Sequence, residues 1–274
     1  MTALAPDPQW LAALLASAEQ PPLRPRVPLL WGQHVMGSVE PDYLDKIRLQ
    51  STNTGPYSLS KEEHADGLVW RLSGDGTLAL QRVAQALLDA GVGRVAQQWR
   101  NEQLAICDAH GQQIATVERG VVRPLGIATR AVHLVGRSGD GRFWVQQRAL
   151  DKANDPGLWD TLMGGMVSAA DSVDTALVRE TWEEAGIHLA SVHKLLWGGT
   201  KTMRQPSSGD DAGYVVEQID WFHCTVPHGV QPVNQDGEVA QFQLLDKRAL
   251  LEKMQQNEFT TEAALILVAA LRLP

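Results

Sequence analysis

Residues 165–187 read Gly165-Met-Val-Ser-Ala-Ala-Asp171-Ser-Val-Asp-Thr-Ala-Leu-Val-Arg179-Glu180-Thr-Trp-Glu183-Glu184-Ala-Gly186-Ile187. Glu180, Glu183 and Glu184 are related by i, i+3 and i+4, so a helix here carries three carboxylates on one stripe, with Cβ atoms roughly 5–6 Å apart. Like charges at these spacings cost a helix roughly 0.2–0.5 kcal/mol per pair. Arg179, four residues before Glu183, offsets part of that repulsion, but one guanidinium cannot neutralise three carboxylates. A hard divalent cation with oxygen ligands can, and Mg²⁺ is the usual choice where a phosphate completes its shell. A solvated acidic face would account for a lone Glu-Glu pair, but not for glycines at fixed spacing on both sides.

Those flanks carry local signals of their own. Asp171 or Ser172 can cap the helix N-terminus, and Asp174 is favourable in the first turn. Gly186 reads as the left-handed residue that ends the helix. The spacing therefore predicts one helix over residues 172–185. Gly164-Gly165 is expected in a loop just before it, where the backbone approaches a ligand or adopts positive φ.

The order Gly, five residues, an acid, seven residues, Arg-Glu, an apolar position, any residue, Glu-Glu, any residue, Gly, apolar resembles the Nudix box. Two positions depart from it. Asp171 stands where the family usually has Glu, and Thr181 where it usually has an aliphatic residue. The core from Arg179 to Gly186 is intact. The resemblance implies an α/β fold of α+β type: an αβα sandwich around a mixed sheet, preceded here by a small α+β domain. It also implies a hydrolase of diphosphate bonds that uses Mg²⁺, for which Mn²⁺ can substitute. By the same analogy Glu180, Glu183 and Glu184 hold the metal with the backbone carbonyl of Gly164, and Arg179 orients Glu183 or a neighbour. The base that activates water would be Glu183 or Glu180, or else Glu238 from the segment Asn234-Gln-Asp-Gly-Glu238, whose plainer reading is a turn carboxylate opening a strand.

The approach to the box, Gln146-Gln147-Arg148-Ala149-Leu150-Asp151-Lys152, then Pro156-Gly157-Leu158-Trp159-Asp160 and Gly164-Gly165, is similar to the Nudix modules found beside thiamine pyrophosphokinase. Those also carry an uncharacterised domain ahead of the Nudix fold. That similarity implies thiamine diphosphate or an oxidised form of it as substrate. Among cations, Arg148 at a strand end is the first candidate for phosphate binding, followed by Lys152, Lys201 and Arg204. Trp159 and Trp197 fall near expected loops and could stack on an aromatic substrate group, although core packing suits them too. Trp144, Trp182 and Trp221 are expected in the core, and the histidines show no ligand spacing.

At 274 residues the chain can bury a full core, and two domains, 1–120 and 121–274, are read from the change of pattern near residue 120, although no Pro/Gly linker marks the boundary. Residues 1–120 suggest helices at 10–18 and 77–90, strands at 27–31, 34–39 and 68–72, a polar turn-rich stretch at 50–67, and a hairpin of 104–108 with 113–118. Beyond them, strands are expected at 127–136, 143–148, 192–197, 215–225 and 238–244, and helices at 247–255 and 261–271. The formal net charge of −8 argues against a nucleic-acid surface and leaves a small phosphorylated molecule as the partner. Two widely separated cysteines, Cys107 and Cys224, form neither a disulfide framework nor a metal motif, which fits a reducing cytoplasm. No apolar run reaches the ~18 residues of a membrane span, and the N-terminus has no basic leader region. A homodimer is left open. A Nudix-fold sensor that binds without cleaving is the alternative to a hydrolase. An isomerase on the same fold would need a proton-transfer Cys, and neither cysteine sits in a promising context.

Overall fold

The computed structural model describes residues 5–47, 57–65, 67–108, 110–207 and 213–271. Its elements, in chain order, are α1 (Pro8–Ser17), β1 (Val27–Trp31), β2 (His34–Val39), β3 (Tyr57–His64), β4 (Gly67–Gly74), α2 (Gly76–Asp89), α3 (Val95–Gln98), β5 (Gln103–Cys107) and β6 (Gln113–Glu118). They continue with β7 (Ala128–Arg137), β8 (Phe143–Arg148), β9 (Trp159–Asp160), β10 (Met163–Met166), α4 (Val173–Ala185), β11 (His193–Pro206), β12 (Tyr214–Thr225), β13 (Val239–Leu245), α5 (Lys247–Gln255) and α6 (Thr261–Ala270).

The first part of the chain holds a four-stranded sheet in the order β2-β1-β4-β3, and a separate hairpin of β5 with β6. Asp75 caps α2 by accepting from the Leu78 amide at 2.8 Å. The helix buries Leu80, Val83, Ala84 and Leu87 completely, which is the 3.6-residue stripe of an amphipathic helix. These residues join Leu29, Leu72, Leu104, Val117 and Leu125 in one apolar cluster. The stretch expected to be turn-rich contains strand β3, paired with β4 from Tyr57↔Gly74 to His64↔Gly67. Its sequence, YSLSKEEH, is polar because β3 is an edge strand with neither face fully buried. Residues 50–56 of that stretch lie outside the described residues, as do 272–274 at the end of the C-terminal apolar run.

The second part is a seven-stranded mixed sheet whose path runs β11-β12-β7-β8-β13. Strands β12 and β7 are parallel, and their neighbours are antiparallel. Helix α4 covers one face through Ala176, Leu177 and Ala185 against Val132, Leu134 and Met163. Helices α5 and α6 cover the other, packing Leu250, Met254, Ile266 and Leu267 against Val135, Val145 and Ile219. This is the αβα sandwich expected from the sequence. It arises because sheet strands buried on both faces need a helical layer on each.

One irregularity positions the site. Strands β7 and β8 pair only at Gly136↔Trp144 and Arg137↔Phe143, then part. Strand β10 fills the gap on β7, with Gly164 opposite His133 and Gly165 opposite Val132, while β9 pairs with β8. Gly164-Gly165 is therefore strand, where a loop was expected, and neither glycine has positive φ. The hairpin β5–β6 is tied to the segment entering α4: Ala169 donates to the Gln103 carbonyl at 2.7 Å, and Leu104 bridges to Ser168.

Candidate active site

Helix α4 begins and ends as its sequence requires. The Ser172 hydroxyl accepts from the Thr175 amide at 3.2 Å, and the Thr175 hydroxyl accepts from the Ser172 amide at 2.8 Å. Gly186 closes the helix at φ 61°. The departure at Thr181 is absorbed locally, since its hydroxyl donates to the Leu177 carbonyl at 2.6 Å inside the helix. Asp171 does not cap the helix. Its Oδ2 accepts from Arg179 Nε at 3.0 Å and Nη2 at 2.9 Å, and this fixes the guanidinium. Arg179 Nη1 then donates to Glu180 Oε1 and Glu183 Oε2, both at 2.9 Å.

Glu184 is the most deeply set of the three acids. Its Oε2 accepts from the Gly164 amide at 2.9 Å and from Gln146 Nε2 at 2.8 Å, both neutral donors. Burial is the main reason its carboxyl is pushed up to about 8, with the Glu180 charge adding to the rise and Lys152 opposing it. Glu180 rises to about 7, again chiefly through burial, which Arg179 only partly offsets. Two buried acids held above the ordinary carboxylate range, beside a third, more exposed one, form a donor set that a hard dication would satisfy. Among the described residues, no three His, Cys, Asp or Glu side chains are grouped closely enough to hold an ion as they stand. Arg179 meanwhile holds the outer acid, Glu183.

These side chains line a cavity of about 610 Å³. Arg179, Glu180, Glu183 and Glu184 form one wall with Gly164 and Gly165, while Arg148, Lys152 and Glu238 face it from the β8 and β13 side. Lys152 pairs with Glu238. Burial raises the Glu238 carboxyl, but the Lys152 ammonium outweighs that and the net shift is downward. Arg148 Nη1 lies 3.5 Å from Asp160 Oδ2 and Nη2 donates to the Asn154 carbonyl at 3.1 Å, while its buried Nε has no partner.

Other expectations fall elsewhere. Trp159, proposed for substrate stacking, is 7% exposed and packs in the core among α5 and α6 residues, with Lys253 Nζ 5.1 Å from its ring centroid; β9 turns the indole away from the cavity. Trp182, expected in the core, is 43% exposed and stacks on His188 with centroids 4.3 Å apart. Trp197, Lys201 and Arg204 all belong to the long strand β11, which extends well past residue 197, and none lines the cavity.

Sequence reading missed several residues that do line it. Asp160 and His133 form a buried pair, His133 Nδ1 lying 3.4 Å from Asp160 Oδ1 and 3.0 Å from Thr161 Oγ1. Asp160 was visible within the quoted Trp159-Asp160 segment but had no assigned role. Arg119, Arg123, Glu217 and Glu262 also contribute. No spacing rule relates these positions to the box, because they meet it only through tertiary packing.

Sandwich, box helix and acid-lined cavity together define the class. The NUDIX domain family model matches residues 127–264, about half of the chain, and the chain belongs to that family. It is 25% identical over 186 residues to the uncharacterized protein YJR142W of Saccharomyces cerevisiae, covering 62% of this chain and 54% of that one. To Nudix hydrolase 20, chloroplastic, of Arabidopsis thaliana it is 24% identical over 243 residues, 85% of this chain and 63% of that one. An isopentenyl-diphosphate Delta-isomerase of Leifsonia xyli subsp. xyli is 30% identical over 158 residues, 56% of this chain and 81% of that one. The chain thus spans between half and two thirds of the length of the first two relatives. In fold it is similar to the crystal structure of DR0079 from Deinococcus radiodurans, with TM-score 0.50 and 16% identity, covering 63% of this chain and all of that one.

Proposed function

We propose that this chain hydrolyses the phosphoric anhydride bond of a small organic diphosphate in a divalent-metal-dependent reaction, with Mg²⁺ as the metal and Mn²⁺ able to replace it. The observation that carries this reading is the shared cavity. Three carboxylates on one helical stripe face Arg148 and Lys152 across a space large enough for a phosphorylated metabolite. Glu180, Glu183 and Glu184, with the Gly164 carbonyl, would hold the metal. When bound, such an ion stabilises charge on the phosphate oxygens and lowers the pKa of water.

The chain's own residues do the rest. Arg179, anchored by Asp171, orients Glu180 and Glu183. Glu183, the most exposed of the three acids, would accept a proton from attacking water, with Glu180 and Glu238 as the other candidates. Lys152 holds Glu238, which leaves that carboxylate less suited to act as base. Arg148 and Lys152 contact the phosphate oxygens. Trp159 has no part in the proposed site.

Thiamine diphosphate or an oxidised analogue is the proposed substrate, supported by the likeness of residues 146–165 to Nudix modules found beside thiamine pyrophosphokinase. The formal charge of −8 favours such a small molecule over nucleic acid. Among the described residues no helix is long and apolar enough to cross a membrane. A cytoplasmic protein of two units, 1–120 and 121–274, completes the reading. The isomerase alternative, which the Leifsonia relative's name also suggests, lacks support because neither Cys107 nor Cys224 lines the cavity.

A panel of diphosphates, thiamine diphosphate and its oxidised forms included, tests this with wild type and Glu183→Gln in Mg²⁺. The expected result is metal-dependent cleavage that falls roughly 10²–10⁴-fold in the variant, the range for a positioned proton acceptor. Binding without any cleavage by wild type would instead favour a sensor.

A further inference from the structure

The geometry points to Arg119, which precedes the family-matched segment, as a phosphate-binding residue of this cavity, so that the N-terminal part of the chain completes the substrate site. This rests on the diphosphate-hydrolase reading and extends it to residues that no box motif covers.

The backbone at Arg119 is held from both sides. Its amide donates to the Glu102 carbonyl at 2.8 Å. The preceding Glu118, 2% exposed, accepts from the Arg100 amide at 2.9 Å and the Gly120 amide at 3.3 Å. Gly120 packs so closely on the 98–99 backbone that a Cβ there would lie 3.1 Å from it. The turn Arg119–Val121 is therefore a fixed stem and not a pliable loop.

Arg119 on that stem lines the cavity that also holds Glu180, Glu183 and Glu238. Its one hydrogen bond among the described residues runs from Nη1 to Glu102 Oε2 at 2.7 Å. Since a guanidinium has five N–H donors in a planar fork, four lack an acceptor among the described residues. Burial opposes its ionised form, but Glu102 first, and then the charges of Glu238 and Glu180, more than offset it. A cation held rigidly opposite a metal-binding stripe, with donors to spare, matches a phosphate oxygen that the metal does not hold.

Two other N-terminal arginines on the cavity each make two side-chain hydrogen bonds to the protein, where Arg119 makes one. Arg123 Nη2 donates to Glu217 at 2.8 Å and Nη1 to Thr129 at 3.4 Å, bolting β7 to β12. Arg100 Nη1 donates to the Gln97 and Trp99 carbonyls at 2.9 and 3.0 Å.

The test compares wild type, R119A, R119K and V83A. Val83 lies fully buried in the N-terminal core and serves as a control for loss of stability alone. Calorimetry with methylenediphosphonate, which cannot be hydrolysed, and Mg²⁺ measures binding; steady-state kinetics use the diphosphate that wild type cleaves fastest. In R119A, affinity should fall roughly tenfold to hundredfold, the loss of one or two charge-assisted hydrogen bonds. KM should rise by a similar factor with kcat changed less than about threefold, the pattern of uniform binding. R119K should recover part of the affinity, and V83A should melt earlier yet bind as wild type does. R119A binding within about twofold of wild type, or V83A losing as much affinity as R119A, overturns the assignment alone. Wild type that neither binds methylenediphosphonate nor cleaves any diphosphate overturns the hydrolase reading and this inference with it. If R119A does not fold, R119K decides: it should bind roughly threefold to tenfold more weakly with an unchanged melting temperature, and wild-type affinity there overturns the assignment.

Discussion

The Cδ carbon of Glu180 occupies space that a side chain on residue 165 would need: a Cβ built on Gly165 would lie 2.2 Å from it. A bare backbone on β10 is thus what lets a buried carboxylate on α4 reach the cavity floor. The neighbouring Gly164 does the same for His133, whose Cε1 would lie 2.4 Å from a Cβ there.

Gly165→Ala is expected to displace Glu180 and lower kcat roughly 10²-fold, with a stability loss of only about 1–3 kcal/mol, the range for overpacking. Kinetics and a urea melt on the same preparation check this. Wild-type kcat in the variant would show that the proposed role of Glu180 does not depend on its present position.

Mg²⁺ should stabilise the protein more at pH 8.5 than at pH 6. Glu180 and Glu184, pushed up to about 7 and about 8, hold protons at the lower pH, and a metal must displace them. The melting temperature with and without 5–10 mM metal, roughly the excess needed to saturate a millimolar site, is the measurement. An equal shift at both pH values would remove these two acids from the ligand set.

Glu262 gives a separate pH signature. Burial, with the Glu217 charge adding to it, raises its carboxyl to about 7 in the folded chain. The folded state therefore binds this proton more tightly than the unfolded state does. Stability from this group declines as pH rises from about 4.5 towards 7, and the full penalty stands above that range. Glu262→Gln should be more stable than wild type by about 1–3 kcal/mol at pH 8 and nearly equal to it at pH 4. Urea denaturation at the two pH values gives the difference. A variant equally affected at both would mean that the carboxyl does not titrate there.

Thiol chemistry separates hydrolase from isomerase. Cys107 is exposed, while Cys224 is buried and its thiol is pushed up to about 12. Ellman's reagent at pH 8 should therefore find one reactive thiol in native protein and two after denaturation. Cys107→Ser should leave turnover unchanged, and loss of turnover in that variant would reopen the isomerase reading.

The box helix was legible almost to the residue because its caps, its acids and its terminal glycine all act within one or two turns. Strands β1, β2, β6 and β8 and helix α5 were legible for a similar reason, since their periodicity is local. Strand β3 was hidden by its polar edge position, and the strand character of Gly164-Gly165 depends on the parting of β7 from β8 far away in sequence. At the cavity, Arg148 and Lys152 were legible as cations just ahead of the box, and Glu238 as a loop carboxylate. Arg119, His133 and Glu262 were not, because what brings them to the cavity is packing between elements up to a hundred or more residues apart. The exposed Trp182 shows the limit of helical phase as a guide: His188 gives its ring a partner outside the core.

The tie between β5–β6 and the segment at Ser168–Ala169 has a genealogical consequence. A substitution that shifts Gln103 moves the entry to the box helix, and one that shifts Ala169 moves the stem bearing Arg119. Recombination between Gln103 and Ala169 would separate these partners, and a chimera made there with a distant relative is expected to keep its set of acids but lose the register of the cavity mouth.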